Sequence, residues 1–214
     1  MQYDLYVVTD EQLSRGLTHG ELARRAMAGG ADVIQLRDKK CDCDYLLRCA
    51  REINEDAKKA DALFIVNDRL DIALQCNTDG VHIGQGDMPL KFARRLAPKG
   101  FIIGVSAGTV EEALAAERDG ADYIGFGPVF PTSSKDDVGP VCGLELLREV
   151  KKRVSVPVVA IGGINTSNAQ EVLYAGADGL AVISAVVSQE DVTAAARDLK
   201  EIIRGHRAVG RSPS

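Results

Sequence analysis

Gln35-Leu36-Arg37-Asp38-Lys39 places an amide and two cations at alternate positions, and alternate side chains of an extended segment share one side. Two fixed positive charges and an amide converging on one point suit a phosphate or a diphosphate. A solvated surface pair is the plainer reading of Arg37 and Lys39, but charges at the end of a buried apolar run are seldom incidental. Asn67-Asp68 and His82-Ile83-Gly84-Gln85-Gly86-Asp87 end two further apolar runs and add two carboxylates. Hard oxygen ligands of this kind, together with a substrate diphosphate, fit Mg²⁺, which keeps several waters and takes one or two protein carboxylates. Either aspartate alone would serve equally well as a helix N-cap. Beside Arg37 and Lys39 the metal reading gains weight.

Later in the chain the polar signals change character. Ile161-Gly162-Gly163-Ile164 and Val182-Ile183-Ser184 each close an apolar run and open a helical pattern, the arrangement in which backbone N–H groups cradle a phosphate. A tight turn with no ligand is the alternative. Between them and the first group lies Gly125 to Lys135, a loop of glycine, proline, hydroxyls and one lysine that reads as a mobile cover. Two anion sites, one of side-chain charges and one of backbone amides and a hydroxyl, predict an enzyme with two substrates.

The elements that must position these groups are short and regular. Eight β-rich runs stand out: Leu5 to Thr9, Val33 to Leu36, Leu63 to Val66, Gly80 to Ile83, Ile102 to Val105, Tyr123 to Phe126, Val158 to Ile161 and Gly179 to Val182. Their nearly continuous apolar character predicts parallel strands buried on both faces. Gly30-Ala31-Asp32, Gly120-Ala121-Asp122 and Gly176-Ala177-Asp178, with Thr78-Asp79-Gly80 as a weaker copy, each join a helical pattern to a strand, with the glycine expected at a helix C-cap. Thr18 to Glu21, Thr109 to Glu112 and Ser167 to Gln170 have capping-box spacing at helix starts. Strands and helices alternating eight times predict an α/β fold of the closed (β/α)8 TIM-barrel type, with chemistry at the C-terminal strand ends. An open doubly wound sheet is the competitor, but no Gly-x-Gly-x-x-Gly follows the first strand. One domain over residues 1–204 is expected, with a disordered polar tail from Gly205 onward.

Composition bounds the partners. A net charge of −5 argues against a broad nucleic-acid surface, so anionic ligands must be held locally. The longest apolar run, near Val156 to Ile164, contains a proline and two glycines and is too short to cross a bilayer, and no leader segment is indicated at the start. Five cysteines in no regular framework suit reduced thiols in a cytoplasm. Cys41-Asp42-Cys43 could be half of a zinc site, but no second Cys or His pair accompanies it.

Six motifs, taken in order, resemble thiamine phosphate synthase: Gln35 to Lys39, Val66-Asn67-Asp68, His82 to Asp87, Gly104-Val105-Ser106, Gly127 to Thr132 and Gly162-Gly163-Ile164. The resemblance extends over about residues 3 to 204. It implies a transferase that joins 4-amino-5-hydroxymethyl-2-methylpyrimidine diphosphate to 4-methyl-5-(2-hydroxyethyl)thiazole phosphate, giving thiamine phosphate and diphosphate with Mg²⁺. On this sequence it implies Gln35, Arg37, Lys39 and Asn67 at the pyrimidine diphosphate, Asp68 and Asp87 at the metal, and Ser106 at the pyrimidine. It further implies Thr132 and Ser134 in the lid, Lys135 at the departing diphosphate, and Gly163, Ile183 and Ser184 at the thiazole phosphate. Catalysis would fall to Arg37, Lys39, Lys135 and Ser106. A dissociative course needs no protein nucleophile, which agrees with the lack of a nucleophile-plus-base constellation in a chain with three histidines.

The sequence departs from the family pattern in three places. Gly108 stands where the family often has histidine, Ser134 where it often has threonine, and Lys40 to Asp44 is rich in cysteine and aspartate. A thiazole tautomerase of the same fold would not need the full set of Arg37, Lys39, Asp68, Asp87 and Lys135. A non-catalytic thiazole-phosphate binding protein would bind without turnover, and a phosphate-handling barrel of the tryptophan-pathway type would need no metal carboxylates. Small-molecule substrates, no nucleic acid and no membrane are the expected partners, and a homo-oligomer is compatible with them.

Overall fold

The computed structural model describes residues 3–134 and 139–209. Among these residues eight strands are β1 (Leu5–Thr9), β2 (Val33–Leu36), β3 (Leu63–Asn67), β4 (Gly80–Ile83), β5 (Ile102–Ala107), β6 (Tyr123–Phe126), β7 (Val158–Ile161) and β8 (Gly179–Val182). Each pairs in parallel with the next, and β1 pairs with β8, so the sheet closes into a barrel. The helices outside it are α1 (His19–Ala28), α2 (Cys43–Ala60), α3 (Leu70–Gln75), α4 (Leu90–Leu96), α5 (Val110–Asp119), α6 (Gly143–Arg153), α7 (Ala169–Tyr174), α8 (Ser184–Val187) and α9 (Val192–Val209). None of the described helices is long and apolar enough to cross a membrane.

Strands this short, buried on both faces, leave little freedom in register, because a slip of one residue would turn every side chain to the opposite face. Six of the eight lie where the apolar runs predict, and β3 and β5 continue one and two residues further, to Asn67 and Ala107. Those added residues belong to the mouth of the barrel, where backbone pairing persists into polar sequence.

The Ala-Asp joints explain how the opposite end is held. Asp32, Asp79, Asp122 and Asp178 each precede an even-numbered strand, and each carboxylate accepts the backbone N–H at or next to the start of the preceding odd strand: Leu5, Phe64, Ile103 and Val158, at 2.7–2.8 Å. The same four backbones also donate back to the carbonyls of Leu5, Phe64, Ile103 and Val158. One two-stranded motif is thus used four times around the base. Three of the four carboxylates also meet a cation, Lys200, Arg94 or Lys151.

Helix ends follow the sequence in part. Thr18 forms a full capping box with Glu21. Thr109 caps the N–H of Glu112, but the Glu112 carboxylate turns to the N–H of Gly108, so the reciprocal half of the box is missing. The box expected at Ser167 does not form, because its hydroxyl and N–H are both taken by Asn165, and α7 starts two residues later. Gly120 is a left-handed C-cap as expected, whereas Gly30 and Gly176 lie one residue past the caps Gly29 and Ala175. The tail expected from Gly205 also needs correction: α9 runs to Val209, with His206 packed edge-on against Tyr174 at 5.0 Å and Arg207 bonded to the Asp178 carbonyl. The expected disorder beyond it falls outside the described residues.

Candidate active site

A cavity of about 1060 Å³ opens at the C-terminal ends of the strands. Arg37, one residue past β2, is 9% exposed, with Nη1 3.4 Å from the Asp10 carboxylate just past β1. Lys39 reaches to 3.9 Å from Asp68, with its own side chain about half exposed. Both line the cavity, as the alternating spacing requires. Gln35 does not: it is buried in the barrel beneath, with Nε2 donating to the Tyr6 hydroxyl at 2.8 Å. The alternation is correct, but Gln35 lies one step deeper in the strand, where the barrel is filled with side chains.

Asn67 ends β3, and Asp68 follows with φ of 60°, left-handed backbone that few non-glycine residues adopt and that tends to mark working sites. Its N–H is held by the His82 carbonyl of β4. Asp87 comes from the loop after β4 and accepts the Gly84 N–H at 2.7 Å, and neither aspartate caps a helix: the N-cap positions of α3 and α4 are Arg69 and Pro89. The two carboxylates are pressed together. Burial, then the hydrogen bond and charge of Asp87, push the Asp68 carboxyl up to about 6, although Lys39 and Arg37 pull the other way. Asp68, whose ionisation is opposed beside a second carboxylate in a solvent-reachable cavity, fits a hard divalent cation, which would offset the repulsion.

Ser106, near the end of β5, faces the same cavity, and its carbonyl accepts from Gln85 Nε2. Opposite lies the cover segment. The N–H groups of Val129 and Phe130 donate to Ile161 and Gly162, bedding the segment onto the turn after β7. That bed requires glycine twice: Gly162 and Gly163 have φ of 101° and 65°, and a Cβ on them would lie 2.5 Å from Pro128 and 2.6 Å from Pro131. Ser134 and Ser184 join their hydroxyls at 3.1 Å, and Thr132, Gly163, Ile183 and Ser184 complete this bank of the cavity. Lys135 lies outside the described residues.

Further polar groups at the mouth carried weaker sequence signals. Asp10 is the first charged residue after β1 and pairs with Arg37. Glu112, Asn165 and Gln189 line the cavity from helical or loop positions that have no strand-end signature. Beside the mouth, Glu11, His19 and Asp38 lie within 4.8 Å of one another. Each already has protein partners: Glu11 accepts from the His19 N–H and the Tyr45 hydroxyl, His19 meets Thr9, and Asp38 accepts from the N–H groups of Lys40 and Cys41. They knot the loops after β1 and β2 and steady the segment that carries Arg37 and Lys39. The Cys41–Cys43 segment has a local use as well, since Asp42 caps α2 through the Tyr45 N–H, and all five cysteines are free thiols.

A closed parallel barrel whose mouth sets cations and paired carboxylates against a bank of hydroxyls and glycine turns defines a phosphate-handling barrel enzyme. Residues 5–186 match the family described as thiamine monophosphate synthase. A thiamine-phosphate synthase of Methanocella arvoryzae is 82% identical over 99% of this chain and all of its own, and one of Methanoregula boonei is 59% identical over 95% and 94%. A thiamine phosphate pyrophosphorylase structure from Pyrococcus furiosus superposes with a TM-score of 0.88 at 45% identity, over 95% of this chain and 96% of that one. The chain belongs to the thiamine monophosphate synthase family, transferases that condense a pyrimidine and a thiazole moiety to thiamine phosphate.

Proposed function

We propose that the mouth joins 4-amino-5-hydroxymethyl-2-methylpyrimidine diphosphate to 4-methyl-5-(2-hydroxyethyl)thiazole phosphate by a dissociative course. The observation that carries this is the division of the cavity into two banks, one of charged side chains around Arg37, Lys39, Asp68 and Asp87, the other of hydroxyls and glycine turns around Ser134, Gly163 and Ser184. Arg37 and Lys39, with Asn67 beside them and Lys135 from the cover, hold the diphosphate and offset the charge that grows on it as its C–O bond breaks. Asp68 and Asp87 would hold Mg²⁺, which when bound adds further positive charge at the leaving group. Ser106 contacts the aminopyrimidine, whose electron-rich ring stabilises the cation left at the methylene carbon. Thr132, Ser134, Gly163, Ile183 and Ser184 hold the thiazole phosphate so that the thiazole nitrogen lies in line with that carbon, and the C–N bond forms as diphosphate departs. No side chain acts as a nucleophile.

The free thiols favour a reducing, cytoplasmic setting. The test is product formation followed by liquid chromatography, with purified protein and both substrates, with and without Mg²⁺. Metal-dependent thiamine phosphate is the expected outcome. No product, with thiazole phosphate still bound, would move the reading to a tautomerase or a binding protein.

A further inference from the structure

Five side chains from five strands form one hydrogen-bonded chain through the barrel interior. Gln35 Nε2 donates to the Tyr6 hydroxyl at 2.8 Å, Tyr6 meets the Tyr123 hydroxyl at 2.8 Å, Tyr123 meets His82 Nδ1 at 3.0 Å, and His82 Nε2 meets Ser106 Oγ at 2.9 Å. Only the last member faces the cavity bank just described, and the two phenols are almost wholly buried. Barrel interiors are ordinarily filled by branched apolar residues, so this much polarity needs a reason. The barrel also gives up side chains to house it: a Cβ on Gly104 would lie 2.1 Å from the Tyr123 ring, and one on Gly125 would lie 2.7 Å from the His82 ring.

The chain has a direction. With the Gln35 amide as donor at one end, the Tyr6 proton is left for Tyr123, and the Tyr123 proton for His82 Nδ1. His82 then carries its proton on Nε2 and gives it to Ser106 Oγ, so the Ser106 proton is turned toward the cavity. Burial raises both phenols far above their ordinary range, which keeps them protonated donors at any working pH.

We propose that Tyr6, Tyr123 and His82 are positioning residues that relay the donor character of Gln35 to Ser106, so that the serine recognises a ring nitrogen of the heterocyclic substrate as a hydrogen-bond donor. This rests on the reading of the cavity as the aminopyrimidine site. It assigns Gln35, which lies below the cavity, a part in recognition that needs no contact with the substrate.

Two measurements test it. The chain has three histidines, so the ¹⁵N signals of His82 can be assigned with a single substitution at each of His19 and His206. At about pH 9, well above the ordinary histidine range, the neutral ring should be protonated at Nε2. Protonation at Nδ1 would overturn the direction of the chain, and this result stands whether or not the protein makes thiamine phosphate. In steady-state kinetics, Tyr123→Phe and Ser106→Ala should each lower kcat/KM for the pyrimidine diphosphate about tenfold, the scale of one orienting hydrogen bond, with KM for thiazole phosphate unchanged. The double variant should be no worse than Ser106→Ala alone, because the phenol acts only through the serine. Losses that multiply, or that fall equally on both substrates, would reduce Tyr123 to a packing role. Gly125→Ala, which crowds His82, should repeat the substrate-selective loss.

Discussion

The two ends of the barrel use the same residue, aspartate, in opposite ways. At the base, Asp32, Asp79, Asp122 and Asp178 each accept a backbone N–H, and three of them also meet a cation, so every carboxylate faces a donor. At the mouth, Asp68 is set against Asp87 in partial burial, and its ionisation is opposed. The base repeats one solution four times, whereas among the described residues the mouth is built from differing side chains and turns. Stability is therefore a property of the repeat and chemistry a property of the departures from it, which is the division expected of this architecture.

The sharpest way to probe that division is to remove charge at each end. Asp68→Asn should lower turnover by about 10²–10³, the scale of losing a main electrostatic contribution to the transition state, with no fall in the midpoint of thermal unfolding. If unfolding and turnover fell together, the separation of the two ends would be lost. Lys135→Ala should cut turnover far more than affinity for thiazole phosphate, since its charge is wanted as diphosphate leaves; equal losses in both would remove it from that role. At the base, Asp32→Ala leaves the buried Lys200 with Asp4 and without its closer partner, and should cost about 2–3 kcal/mol in urea unfolding while kcat per folded molecule stays unchanged.

A smaller effect would sharpen the contrast through pH. The Asp68 carboxyl titrates near 6 in the fold and near 4 when unfolded, so its contribution favours the fold fully below about pH 4 and is lost as pH rises through about 6. Metal-free Asp68→Asn should consequently match the parent near pH 4 and exceed it by about 1–2 kcal/mol near pH 7.5, allowing for partial solvent screening. Mg²⁺ should stabilise the parent and leave the variant unmoved. A variant less stable than the parent at both pH values would show that Asp68 is a structural residue.

Most of the fold was legible because short, doubly buried strands leave an unbroken apolar record, and the Gly-Ala-Asp joints with their Thr-Asp-Gly variant mark where a helix hands over to each even-numbered strand. The candidate site was legible wherever a polar residue interrupts that record at a strand end, as Arg37 and Asp68 do, while Ser106 came only with the family resemblance. Other features were hidden for identifiable reasons. Asn165 captured the Ser167 cap through a side chain two residues away, a competition that spacing does not reveal. Polar residues past Gly205 read as solvated, yet Arg207 and His206 find Asp178 and Tyr174, partners brought near only by closure of the barrel. Tyr6 and Tyr123 passed for ordinary apolar strand residues, and only the facing of β1 and β6 across the interior brings their hydroxyls together.

Lys200 binds Asp32 at 2.6 Å and Asp4 at 3.3 Å, and Arg207 also reaches Asp4. β1 finds its second neighbour only in β8. Of the eight strands the first in order is thus the last to be completed, because its partner strand and its cations come last in the barrel. Until β8 has been made, the growing sheet carries an open edge at β1, a row of unpaired backbone groups that invites pairing with another chain.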